Sequence, residues 1–324
     1  MEDRLKPLSE RGWKGKVMSL KFGLTLPHFG KLTSRSTILD IAKRAEELKF
    51  DSVWARDHLV FRPHVLEEST PNFIETFITL AAVGTVTGLT LGTSVAFPHR
   101  HPLHLAQLYS NLEFMAKGNV IAGVGMGSGK REYEIAEIPF ESRSDLFRET
   151  VEIMKGAWEG EGTYHGEFYS FDDAFQHPLP NKIPVWGGGS SPASVKRAWE
   201  LCEGWFPGRI NMPSFRAGVK LLRKLAKEEQ KSIPSVGAIP ITSIDLDRDR
   251  AMEKINLDGL LNSTKDFWIK PESGAFKTVE DLEGVLMVGN PEDIVQEVVK
   301  FEEAGVNHLV FDLRQRFEEM ENCM

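Results

Sequence analysis

Cysteine is almost absent from this chain: Cys202 and Cys323 are the only two in 324 residues. Neither a disulfide framework nor a cysteine-rich zinc site is available, and a reducing compartment fits. Positive charge is also scarce, with 39 Lys and Arg against 47 Asp and Glu, a net charge of −8. No basic stripe stands out to hold a polyanion, so nucleic acid is not an expected partner. No apolar run reaches the roughly 20 residues that cross a bilayer. Residues 1–18 lack the continuous apolar core of a signal peptide. These absences leave a soluble cytoplasmic protein, with no membrane partner, as the expectation.

Length alone allows two average domains or one large α/β barrel. From Lys21 onward, short apolar runs rich in β-branched residues alternate with segments of helical period, the order of parallel βα units. Strands are expected at "KFGLTLP", "DSVWARDH", "LTLGTSVAF", "NVIAGVGMG", "KIPVWGGG" and "GWFPG", and over 236–243 and 307–312. Ile38, Ile41, Ala45 and Leu48 repeat at helical spacing, as do Leu105, Leu108, Leu112 and Met115. Further helices are expected over 72–86, 141–159, 190–202, 213–230, 245–263 and 290–304. The aromatic and glycine-rich stretch 162–178 reads as an antiparallel hairpin, and 266–286 as a loop or lid. Eight strands alternating with helices match a (β/α)8 TIM barrel better than a doubly wound sheet. The expected organisation is a tail at 1–18 and one barrel domain over 19–324 with those two insertions.

A barrel puts its chemistry at the strand C-terminal ends. Asp57-His58 follows the second strand directly, and a histidine there, with an ordinary pKa near about 6.5, exchanges protons at neutral pH. The bland alternative is that Asp57 caps the next segment. His99, His101 and His104 resemble a metal cluster, but no Cys, Asp or Glu lies within seven residues of His101. Pro102 fits the first turn of a helix, so a structural corner is the better reading and no metal is expected. "GVGMGSGKREYE" lacks dinucleotide-fingerprint spacing, and no helix is expected directly after it; its glycines would let a ligand approach the backbone. In "VWGGGSSPAS", three glycines, two serines and a helix N-terminus make the best anion site in the chain.

Taken together, "FGLTLP", "AEELKFDSVWARDH", "LGTSVAFPHRHPLHLAQ", "GVGMGSG" followed by "EYE", and "PVWGGGSSPASVKRAWELCEGWFPG" resemble the bacterial-luciferase-like family of flavin- and deazaflavin-dependent oxidoreductases. The coenzyme F420 branch is the nearest in pattern. The resemblance implies a non-prolyl cis peptide at Ser94–Val95, backing the cofactor ring. It implies a tricyclic head near Met126 and Gly127 and a phosphate on Gly189, Ser190 and Ser191, with Ser128, Tyr133 and Gly188 also among the cofactor-binding residues. His58 becomes the acid/base candidate, oriented by Asp57. His28, Phe29, Trp54, Arg56 and Phe97 would shape an aromatic substrate pocket with a few basic groups.

The implied activity is F420-dependent hydride transfer to or from a small organic substrate, by a homodimer. The alternatives are an FMNH2-dependent monooxygenase, which would need oxygen and a flavin reductase partner, and a non-catalytic flavin or deazaflavin carrier. Sugar-phosphate dehydrogenases of the family carry carboxylates after the first strand and in the fourth loop. This chain has Pro27-His28 and Ser128 there, which argues against glucose 6-phosphate.

Overall fold

Val120–Val124 is buried at every position, and such continuous apolar runs form strands covered on both sides. The computed structural model describes residues 20–60, 66, 72–97, 99–127, 129–264, 267–271 and 274–324. The expected tail, Ser128 and positions 266 and 272–273 of the expected lid lie outside the described residues. In chain order the elements are β1 (Lys21–Thr25), α1 (Arg35–Glu47), β2 (Ser52–Ala55), α2 (Thr76–Gly84), β3 (Thr90–Thr93), α3 (Pro102–Met115), β4 (Val120–Val124), α4 (Lys130–Ile135) and α5 (Arg143–Trp158). A hairpin of β5 (Tyr164–His165) and β6 (Ser170–Phe171) precedes β7 (Val185–Gly188), α6 (Pro192–Leu201), β8 (Gly204–Phe206), α7 (Met212–Glu229) and β9 (Ser235–Ala238). Then come β10 (Ile241–Ile244), α8 (Arg248–Glu253), α9 (Leu257–Ser263), β11 (Leu286–Gly289), α10 (Pro291–Ala304), β12 (His308–Phe311) and α11 (Met320–Cys323).

Strands β1, β12, β9, β8, β7, β4, β3 and β2 close in that order into a barrel, every pair parallel. This is the (β/α)8 TIM barrel. Its caps follow local chemistry: Ser34 accepts from Thr37 N at the start of α1, and Asn290 and Asp293 form a reciprocal capping box on α10. The chain leaves α10 through Gly305 at φ +105°, a conformation that favours glycine.

Several elements differ from expectation. Pro240 divides the seventh strand, so β9 stays in the barrel while β10 turns out to pair with β11. Strand β11 lies where the sequence pattern promised only the end of a lid. The helix expected over 245–263 is broken into α8 and α9. A short helix, α4, does open after the glycine-rich fourth loop, against expectation. On α3 the buried stripe is Leu105, Ala106, Tyr109 and Leu112, whereas Met115 is 55% exposed. Likewise Leu48 ends α1 as its exposed C-cap.

Inside the barrel, Trp54, Ile121, Trp186, Phe206 and Val310 form one cluster. The Trp54 ring lies 4.7 Å from that of Phe206 and 5.7 Å from that of Trp186. Gly92 makes room for it, since a Cβ there would come within 2.5 Å of the indole. Trp54 Nε1 donates to Ser52 Oγ at 2.8 Å, and that oxygen is 2.6 Å from His308 Nε2. Trp54 therefore plugs the barrel as its floor, fully buried, rather than lining a substrate pocket as expected.

Candidate functional site at the barrel mouth

Above the aromatic floor, β3 ends in an irregular step whose Ser94–Val95 peptide is cis. Ser94 N still donates to Ala55 O on the β2 side, and Ala96 N donates to Gly123 O on the β4 side. The Val95 side chain settles where two glycines leave space: a Cβ on Gly125 would be 2.4 Å from Val95 Cγ2, and one on Gly188 3.2 Å. Gly127, at φ +68°, leaves equivalent room for the Phe97 ring. Tyr133 stands behind that ring, edge-on at 4.7 Å, and its hydroxyl donates to Met126 O. Burial pushes the Tyr133 pKa above its usual range, so its proton stays in place.

Two hydroxyls at this level have no partner. Thr25 Oγ1 and Ser94 Oγ are buried and unbonded. Thr25 follows Gly23 by two residues and Ser94 follows Gly92 by two, and both glycines face the Trp54 indole, so alternation turns the hydroxyls into the barrel. Buried polar atoms without partners are rare. With a wall built on glycines, they fit a polar heterocycle bound above the floor. Thr25 carried no signal in the sequence, being one ordinary threonine at a strand end.

His58 lies at the end of β2 with its ring edge-on to Phe73 at 5.5 Å. Its Nδ1 faces the Glu132 carboxylate at 3.1 and 3.3 Å, and Leu59 N donates to the same group at 3.0 Å. Burial would raise the Glu132 pKa, but the His58 ring, its charge and the Leu59 N–H outweigh it and hold the carboxyl below its ordinary value. An ionised Glu132 fixes the proton on Nδ1 and leaves Nε2 without a partner among the described residues.

Asp57 does not orient His58, contrary to expectation. Its carboxylate takes a two-pronged ion pair from Arg100 at 2.6 and 3.0 Å, and accepts from Phe97 N at 3.0 Å. Arg100 also bonds Glu75 at 2.9 Å, and Glu75 caps α2 through Ile78 N. Asp57 thus ties the end of β2 to the step after β3. The three histidines of the corner separate: His101 caps α3 by accepting from Leu103 N, His99 stacks on Phe97 at 5.3 Å, and His104 faces an outer groove.

At the second half of the barrel, Ser191 Oγ accepts from Ser194 N at 3.2 Å, while Ser191 N donates to Ser194 Oγ at 2.8 Å. This box fixes the N-terminus of α6. Gly189, at φ +112°, packs on Ser194, and its carbonyl accepts from Trp205 Nε1 at 2.9 Å. Ser190 keeps its hydroxyl without a partner among the described residues, beside helical N–H groups that suit an anion. Of the remaining pocket candidates, His28 is fully buried between Leu26 O and Arg56 O, each 3.1 Å away. Burial, then the Arg56 charge, lowers its pKa to about 4, so the ring is neutral and donates to one carbonyl only. Arg56 lies 3.8 Å over the Phe29 ring, and Phe29 is itself buried.

Beside His58 and Arg100, a cavity of about 630 Å³ runs along the outside of the barrel between Phe77, Ile78 and Ala81 of α2 and His104, Leu108 and Met115 of α3.

A closed (β/α)8 barrel with a glycine-walled slot, a histidine–glutamate pair and a serine-capped helix start at its mouth defines the class. Residues 20–308 match the luciferase-like monooxygenase family model, and the chain belongs to that family. It is 28% identical over 298 residues to an F420-dependent glucose-6-phosphate dehydrogenase of Microbacterium testaceum, covering 85% of this chain and 86% of that one. An F420-dependent secondary alcohol dehydrogenase, solved with an F420-acetone adduct, shares the fold at TM-score 0.76 and 21% identity, over 94% of this chain and 98% of its own. The monooxygenase RslO1 of Streptomyces bottropensis shares it at 0.73 and 19% identity, over 94% and 96%.

Proposed function

We propose that the chain is a coenzyme F420-dependent oxidoreductase acting on a small organic substrate, with His58 exchanging the substrate proton through Nε2. The observation that carries this reading is His58 itself, at the C-terminal end of the second barrel strand with its Nδ1 held by a buried, ionised Glu132. When bound, the deazaflavin supplies a ring carbon that gives or accepts a hydride. The protein's own groups do the rest. Val95, seated on Gly125 and Gly188, forms a rigid wall behind the ring position, with Met126, Gly127 and Tyr133 alongside. Thr25 and Ser94 offer hydroxyls to polar edges. Gly188, Gly189, Ser190 and Ser191 receive the phosphate at the start of α6. Arg56, Phe29 and Phe97 border the substrate side.

The names of relatives such as the Microbacterium dehydrogenase support F420 as the cofactor. Carboxylates expected for a sugar-phosphate substrate are replaced in sequence by Pro27-His28 and Ser128, so an uncharged carbonyl, alcohol or unsaturated compound suits the aromatic surroundings better. FMN with a reductase partner is the second reading, kept because the matching family model is that of luciferase-like monooxygenases.

We place the protein in the cytoplasm: both cysteines are unpaired, and no described helix is long and apolar enough to cross a membrane. We propose a homodimer formed through α2 and α3, where Ile78, Phe114 and Met115 are exposed at 68%, 70% and 55%. Replacing His58 with Ala should lower turnover by about 10²–10⁴ with cofactor affinity nearly unchanged. Unchanged turnover removes His58 from the reaction.

A further inference from the structure

Among the described residues, two guanidinium groups on α5 and α6, the helix that starts after Ser190 and Ser191, lack acidic hydrogen-bond partners. Arg143 opens α5; its guanidinium lies 4.0 Å from the centre of the Phe140 ring and donates to Phe140 O at 2.9 Å. Arg197, on α6, lies 5.6 Å from the Phe147 ring and donates to Ser144 Oγ at 3.2 Å. Among the described residues neither forms an ion pair. The nearby carboxylate of Glu200 is bonded to Arg148 at 3.2 Å. In a chain of net charge −8, Arg197 has two other arginines, Arg148 and Arg143, close enough to repel its charge, and Glu200 as the nearby carboxylate. Burial, reinforced by repulsion from Arg148 and Arg143, lowers the Arg197 pKa, as expected where cations are collected without sufficient counter-charge.

Arg143 and Arg197 are connected to the proposed cofactor site by direct contacts. Tyr133, whose hydroxyl holds Met126 O, meets the Phe140 ring edge-on at 5.2 Å, and Arg143 lies over Phe140. Ser144 then links to Arg197, on the helix whose first residues follow Ser190 and Ser191. Both arginines are only half-buried, so an anion in solvent can reach them. Guanidinium groups bind carboxylates through paired N–H donors.

We propose that Arg143 and Arg197 form a second anion seat, which receives carboxylates of the acidic tail that coenzyme F420 carries beyond its phosphate. This rests on the F420 reading, since FMN ends at its phosphate and has no tail to place there. The test is fluorescence titration of the purified chain with three probes: F420 bearing its oligoglutamate tail, the phospholactyl form without glutamates, and the deazaflavin headgroup without phosphate. The variant Arg143→Ala/Arg197→Ala should bind full F420 roughly three- to twentyfold more weakly, as two partly exposed charge pairs allow, with the difference shrinking at high salt. Its affinity for the two shorter probes should stay at the wild-type value, and Arg143→Lys/Arg197→Lys should keep most of the affinity for the full cofactor. Equal affinity of wild type and double alanine variant for full F420 overturns the seat while leaving the F420 reading intact. Equal weakening toward all three probes also overturns it, by showing that the arginines only brace Phe140 and Phe147. A wild-type chain that binds none of the probes overturns the F420 reading and the seat together.

Discussion

Asp57 and His58 are adjacent in sequence but serve different ends. The Asp57 carboxylate is almost wholly buried and bonded to Arg100, and removing its charge leaves the mostly buried Arg100 with Glu75 as its one remaining carboxylate among the described residues. Asp57→Asn should therefore cost about 3 kcal/mol of stability, seen as a fall of roughly 5–10 °C in thermal midpoint. Glu132→Gln should leave the midpoint nearly unchanged and lower turnover about tenfold with cofactor affinity retained, because only the orientation of His58 is affected. The reverse pattern, with activity lost in the Asp57 variant at full stability, would return the orienting role to Asp57. Sequence adjacency made Asp57 the natural partner of His58. Glu132 opens the "EYE" that follows the glycine-rich loop, but it lies 74 residues from His58 and nothing local pairs the two, so only the closed barrel shows the pairing.

The strands of the barrel were legible because each is a short apolar run buried on both faces, and the long helices because their buried residues repeat at helical spacing. The misplaced elements are short. Helix α4 has six residues and follows a glycine-rich loop, too little for a period to register. Strand β11 has four, and its partner β10 leaves the barrel only because Pro240 interrupts the seventh strand. Helices α2 and α3 show a different limit. Met115 fits the spacing of a buried stripe yet is exposed, and with Ile78 it borders an apolar groove on the outer surface. An apolar residue at helical spacing does not say which partner will cover it. If the proposed dimer uses this face, Ile78→Glu/Met115→Glu should sediment as a monomer while wild type sediments at twice that mass. A monomeric wild type, or a double variant that remains dimeric, contradicts this use of α2 and α3.

At the scale of the whole molecule, two buried histidines couple stability to pH. His308 sits beneath the floor and His28 at the mouth, and burial lowers each pKa from 6.5 to about 4. Both are neutral in the folded chain, whereas the unfolded chain binds protons below about 6.5. Their contribution is complete above that pH and is lost as the pH falls from about 6.5 through about 4, at up to roughly 3 kcal/mol for each. Thermal midpoints measured from pH 7.5 to 4.5 should fall steadily, and His308→Gln should flatten the slope. A midpoint constant across that range would mean that one or both rings are reached by solvent.

A phosphorylated tricycle bound here would sit in the glycine-walled slot with its phosphate on the first residues of α6. The most direct measurement is a pair of parallel titrations of the purified chain, one with oxidised F420 and one with FMN, followed by ligand fluorescence. Saturable binding of F420 at one equivalent per chain, tighter than that of FMN, is the predicted result. Tighter binding of FMN would replace the cofactor, and binding of neither would contradict the site itself.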